Sequence, residues 1–175
     1  MRLNPSIAAV PLALLFCGCA GPHPQQSGGE THPVVSVEQT SDMFYIRSKK
    51  TGLHMTPGVD IFADGKCNVR TFHGAEFTKT ITRSKLEELL HWLEGEGLFS
   101  ISEDVIERRI RETSPEKRVV VVDSGYTRLA AQQGAQTVKL SRYALDAEIE
   151  NYPEVSELRT IQKCVDRVYA TVGTK

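Results

Sequence analysis

No block of like charge runs through this chain, and its 21 Lys and Arg nearly balance its 22 Asp and Glu. A basic surface for nucleic acid or anionic lipid is therefore not predicted. Aromatics are scarce at 7%, with Trp92 the single tryptophan, so few side chains can serve as large binding anchors. Beyond the first nineteen residues, no apolar run approaches the roughly 20 residues that a membrane-crossing helix needs. No repeat period appears. Two of the four cysteines, Cys17 and Cys19, crowd the N-terminal segment, so the rest of the chain can form at most one disulfide.

Motifs for chemistry are equally thin. The hydrolase elbow Gly-x-Ser-x-Gly is not met, because Val122-Asp123-Ser124-Gly125 lacks its first glycine. His73-Gly74-Ala75-Glu76 lacks the second histidine of a zinc helix, and Asp60-x-x-x-Asp64-Gly65 has the wrong spacing for a calcium loop. His54 and His91 stand alone, and the neighbouring acids Glu87 and Glu88 fall on the solvent side of a helix. The sequence thus predicts no catalytic, cofactor-binding or metal-binding residues, no cofactor, and a non-enzymatic protein. The alternative is an envelope hydrolase whose site is assembled only by folding.

What the sequence does have begins at Met1. Arg2 supplies a positive end, Ile7 to Phe16 an apolar stretch of signal-peptide length, and Gly18-Cys19 closes it. A cysteine after a small residue at the edge of an apolar run resembles the lipobox of bacterial lipoproteins. That resemblance implies cleavage before Cys19 and lipidation of its thiol and new amine. Phe16, where that pattern prefers Leu, is a departure; the alternative is an ordinary signal cut near Ala20 and a secreted product. Three acyl chains exceed the two signals that stable anchoring requires. Ala20 is not the Asp that resembles an inner-membrane retention signal, so the expected location is the outer membrane, facing the periplasm. The expected organisation is a signal peptide at 1–18, a flexible tether at 19–41 rich in Pro, Gly, Gln and Ser, and one domain at 42–173.

Within that domain, 43–49 reads as a first strand. VDIFADGKCNVRTF reads as a hairpin with Asp64-Gly65 at the positive-φ positions of a type I′ turn. That turn would pair Phe62 with Cys67 and Asp60 with Val69, placing Phe62, Cys67 and Val69 on one buried face. A short strand follows at 76–81. Leu86, Leu89, Leu90 and Leu93 recur at helical spacing, with Thr82 and Ser84 competing as N-cap and Gly95 or Gly97 as the stop. A second short helix runs from Ser102 to about Glu112. Strands are predicted in RVVVVDS, YTRLAAQ and AQTVKLSRY. The last element, from Pro153, is a helix with a stripe of Val155, Leu158, Ile161, Val165, Val168 and Val172. The resulting class is α+β. An antiparallel sheet of about five to six strands should carry the mid-chain helix, the short helix and the C-terminal helix on one face.

This order resembles a family of uncharacterised exported bacterial lipoprotein domains. The features that carry the likeness are the Asp64-Gly65 turn, ITRSKLEELL opening a helix, Gly97-Leu98-Phe99 closing it, and Tyr143-Ala144-Leu145 and Tyr152-Pro153-Glu154-Val155 before the final helix. More distantly it resembles the emfourin-type inhibitors of thermolysin-like proteases. The resemblance implies a binding or inhibitory module, with the long tether and the helix at 102–112 as departures from the emfourin pattern.

Two further expectations concern single residues. Cys67 and Cys164, each beside apolar neighbours in an exported chain, are candidates for a disulfide across roughly a hundred residues, the alternative being two buried thiols. Tyr126, Tyr143 and Tyr152 fall near strand ends, where half-exposed rings could form a recognition surface for a protein partner. An edge strand is a second candidate, by strand addition. Trp92 beside the leucine stripe reads as core.

Overall fold

The computed structural model describes residues 32–40, 57–71, 75–113, 121 and 124–173. The expected signal segment, Cys19, most of the tether, the strand at 43–49, His54 and His73 lie outside these residues. So does most of the strand expected at 118–124, whose described residues Val121 and Ser124 are in no strand.

Six strands form one antiparallel sheet: β1 (Val35–Gln39), β2 (Gly58–Ile61), β3 (Lys66–Arg70), β4 (Glu76–Thr80), β5 (Tyr126–Gln133) and β6 (Gln136–Tyr143). Their order is β4-β3-β2-β1-β5-β6, which places the most N-terminal strand near the centre. The helices are α1 (Arg83–Gly95), α2 (Glu103–Thr113), α3 (Leu145–Asn151) and α4 (Ser156–Val172). The class is α+β, as the segregation of strands and helices predicts.

β1 corrects the expected tether at 19–41, because Val35–Gln39 is a strand of the sheet. Val35 and Val37 are fully buried, and β1 pairs with β2 on one side and β5 on the other. The alternation was present, with Val35 and Val37 inward and Ser36 and Glu38 outward. It is short, and the polar residues around it mask it. A strand flanked on both sides draws its hydrogen bonds from two neighbours, so five residues suffice.

The β2–β3 hairpin also departs from expectation. Only Gly65 has a positive φ, +84°, so the turn is not type I′. The Gly65 amide donates to Phe62 O and the Phe62 amide to Lys66 O, both at 2.9 Å, enclosing a three-residue loop with its left-handed residue last. Asp64 instead accepts from the Lys66 amide at 2.9 Å. The odd loop length shifts the register by one residue: Ile61 pairs with Cys67 and Val59 with Val69. Ile61, rather than Phe62, therefore shares the buried face with Cys67 and Val69. The β5–β6 hairpin closes on Gly134-Ala135, with positive φ at Gly134 alone, the pattern of a two-residue type II′ turn.

Thr82 wins the competition to cap α1, its hydroxyl accepting from the Lys85 amide. Gly97, at φ +79°, turns the chain out of the helix into a short 3-10 turn at Leu98–Ser100. Ser102 caps α2 by accepting from the Val105 amide. α4 begins three residues after Pro153, which lies in the preceding turn rather than in the helix. Its predicted stripe is buried throughout, together with Cys164.

One apolar core joins the inward residues of the strands to Leu86, Leu89 and Leu93 of α1 and the α4 stripe. Arg167 of α4 ties the two helices together, bonding Glu88 at 2.8 Å and lying over the Trp92 ring at 5.6 Å. Lys79 faces the same side from β4; its ammonium donates to Val172 O at 3.2 Å and Gly173 O at 3.0 Å, capping the C-terminus of α4. Among the described residues, no helix packs on the sheet's other face.

Candidate functional site

The residues of that open face line up in rows set by the strand registers. One row reads Ser141, Arg128, Glu38, Gly58, Arg70, Glu76 from edge to edge; the next reads Lys139, Ala130, Ser36, Asp60, Asn68, Thr78. In the first row charges alternate in sign. Arg128 Nη1 reaches Glu38 at 3.3 Å, and Arg70 Nη2 reaches Asp60 at 3.3 Å. Ser36 donates to Asp60 at 2.6 Å. Glycine at 58 makes room for Arg70, since a Cβ there would lie 2.8 Å from its guanidinium and 2.7 Å from Val37 O. The ion pairs tie Arg128 to Glu38 and Arg70 to Asp60, which reduces the freedom these long side chains would lose on binding.

At one end of this face, Tyr126 and Tyr143 pair across β5 and β6 with ring centroids 5.1 Å apart and planes tilted by 58°. The Arg128 guanidinium lies 5.7 Å from the Tyr126 ring centre. Tyr126 is 40% exposed, whereas Tyr143 is half-buried and its hydroxyl accepts from the Ser124 amide at 3.2 Å. Thr40, just past β1, locks the base of Tyr126: its amide donates to Tyr126 O at 2.8 Å and its hydroxyl accepts from the Tyr126 amide at 3.1 Å. Beside Arg128 lies a hollow of about 370 Å³, lined by Ser36, Glu38, Arg128, Lys139, Ser141 and Glu103, within the size range of ligand sites.

Two of the three tyrosines singled out by position thus meet on one surface. Tyr152 does not; it is buried in the core. The partner of those tyrosines that the sequence did not reveal is Arg128, two residues after Tyr126 on the same strand face.

Of the two alternatives for Cys67 and Cys164, a disulfide or two buried thiols, the structure has two buried free thiols. Each faces the apolar core as a small hydrophobe, and Cys67 donates a weak hydrogen bond to Gly65 O at 3.4 Å. Burial raises both thiol pKa values, that of Cys164 to about 12, so Cys164 stays protonated and unreactive at neutral pH. His91 lies exposed on α1, 3.5 Å from the Gln133 amide nitrogen and 3.6 Å from Glu94.

A second polar cluster sits on the covered side of the sheet. Arg142, buried on β6, bonds Glu148 of α3 through Nε and Nη2, with Nε at 2.9 Å. Its Nη1 donates to Glu103 at 2.8 Å and Glu107 at 2.9 Å, one turn apart on α2. Burial opposes the charge, but the hydrogen bonds to Glu148 and Glu103 outweigh it and hold the guanidinium's pKa above its ordinary value. Each nitrogen of this guanidinium donates to a carboxylate, so the cluster pins α2 and α3 to β6 rather than offering a free binding group. The sequence carried a signal for it. In Val138-x-Leu140-x-Arg142 a charge occupies the inward phase of an alternating strand, and such a charge demands a partner.

No family model matches this chain, and the curated proteins contain no match to it.

Proposed function

We propose that this chain is a non-enzymatic, lipid-anchored cell-envelope protein whose domain binds a protein partner through the open face of its sheet. Where that partner is an exported protease, the same contact would be inhibitory. The observation that supports binding is the exposed Tyr126 ring, packed against Tyr143 and the Arg128 guanidinium with its backbone bonded to Thr40, beside the hollow over β5 and β6. An aromatic and an arginine fixed before contact are the residue types that dominate binding energy at interfaces. The signal segment and Cys19 support the anchor, and the near-neutral charge argues against nucleic acid as the partner.

Crosslinking in intact cells, with the full-length chain tagged at its C-terminus, should recover one stoichiometric envelope protein. Tyr126→Ala combined with Arg128→Ala should lower that recovery about tenfold or more while leaving the melting temperature nearly unchanged, because neither side chain belongs to the apolar core. Undiminished recovery by the folded double variant would remove this surface as the binding site. Separately, Cys19→Ser should shift the protein from the membrane to the soluble fraction. Retention in the membrane would refute the lipid anchor.

A further inference from the structure

The two edges of the sheet are treated differently. At the β6 edge, the outward-pointing Ser141 amide is taken by the Glu103 carboxylate, and α2 is pinned alongside. At the β4 edge, Glu76, Phe77, Thr78 and Thr80 are all exposed. The bonds Thr71 N to Ala75 O and Ile81 N to Gly65 O fix the phase of the β3–β4 ladder. Residues 75, 77, 79 and 81 turn their backbone groups toward β3, and Glu76, Thr78 and Thr80 turn theirs outward. Phe77 is one of two large hydrophobic side chains left exposed among the described residues. An exposed strand edge bearing an exposed aromatic is a template for pairing.

We propose that β4 pairs antiparallel with the β4 of a second copy about a two-fold axis at Thr78, joining two six-stranded sheets into one continuous sheet. In this register Thr78 faces Thr78, and Glu76 faces Thr80 in both directions, so every outward amide and carbonyl of the strand is used. On the helix side each Phe77 lies opposite the partner's Lys79. That lysine already sits 5.3 Å from its own Phe77 ring, its ammonium fixed on the end of α4, so the edge gains a cation–ring contact without a loose charge. The two Phe77 rings become diagonal neighbours. No like charges oppose each other. Moving the axis to residue 79 would set lysine against lysine, and moving it to Phe77 would leave Thr80 unpaired. An axis perpendicular to the sheet keeps the helices of both copies on the same side and the two open faces side by side.

The test uses the full-length chain in nonionic detergent. Sedimentation should show a dimer for the wild type and a monomer for Thr78→Pro. Proline there removes an outward N–H that no bond among the described residues uses, so the melting temperature should stay close to that of the wild type. Under oxidised glutathione, Thr78→Cys should give a reductant-sensitive dimer, since facing Cα atoms ~5.5 Å apart lie within disulfide reach. Thr80→Cys, displaced from its symmetry mate, should crosslink no more than the wild type. A monomeric wild type overturns the proposal, as does a folded Thr78→Pro dimer. Equal crosslinking of the two cysteine variants also overturns it. Should Thr78→Pro fail to fold, the cysteine pair decides alone.

Discussion

Arg142→Ala should destabilise the domain by about 3–5 kcal/mol, the range for removing one partner of a buried ionic cluster. Against a typical total of roughly 5–15 kcal/mol, that is enough to unfold part of the population at growth temperature. The loss arises less from the missing attraction than from what stays behind. Glu148, with a side chain 18% exposed, keeps its carboxylate near the core with no cation, and Glu103 and Glu107 are drawn toward the same point. Urea denaturation of the full-length chain measures the effect. Arg142→Met combined with Glu148→Leu should recover most of the loss, because it replaces the most buried pair by apolar side chains of similar size. If Arg142→Ala costs less than about 1 kcal/mol, the cluster is no more than a surface ion pair.

Gly65→Val should be comparably damaging, at about 3 kcal/mol or more. Two costs combine. A β-branched residue at φ +84° is strained by roughly 1–3 kcal/mol. In addition, any Cβ at this position would overlap the Ile81 carbonyl oxygen, in the stretch that leads into α1. The Ile81 amide donates to Gly65 O at 2.9 Å, so this contact cannot open without detaching the end of β4 from the hairpin. Gly97→Val supplies the comparison: its φ is +79°, but nothing lies within 4 Å of its added Cβ. Thermal melts of the two variants should separate, with the Gly65 variant the less stable. Equal losses would show that the backbone conformation alone sets the cost.

These two positions illustrate how much was legible beforehand. Gly65 was readable as a turn glycine because Asp-Gly between alternating apolar residues is local chemistry. Its register was not, since a two-residue and a three-residue loop use the same dipeptide and differ only in where Phe62 points. Arg142 was readable as an anomaly, a charge in the inward phase of β6. Its partners were not, because Glu103 and Glu107 lie on a helix 35 or more residues earlier in the chain. Tyr126 and Tyr143 stood out by position, yet their meeting depends on the β5–β6 register. Tyr152, equally prominent in sequence, went to the core instead. The disulfide expectation rested on two cysteines beside apolar neighbours, and burial as separate thiols satisfies that pattern equally well.

The sequence by itself determined the α+β class, the leucine helix and its stop, the short second helix, the final helical stripe and the sites of the turns. All of these rest on periodicity or conformational preference within about a dozen residues. Only the tertiary structure decided that residues 35–39 form a near-central strand rather than tether. It alone decided that Arg128 joins the tyrosines, and that Glu103 takes the Ser141 amide at the β6 edge while, among the described residues, nothing pairs with the β4 edge. Those outcomes depend on which distant segments lie side by side. Strand pairing rests on contacts between segments up to 96 residues apart, as in Val35 with Ala131, and no local pattern encodes which of several short alternating segments will win the centre of the sheet.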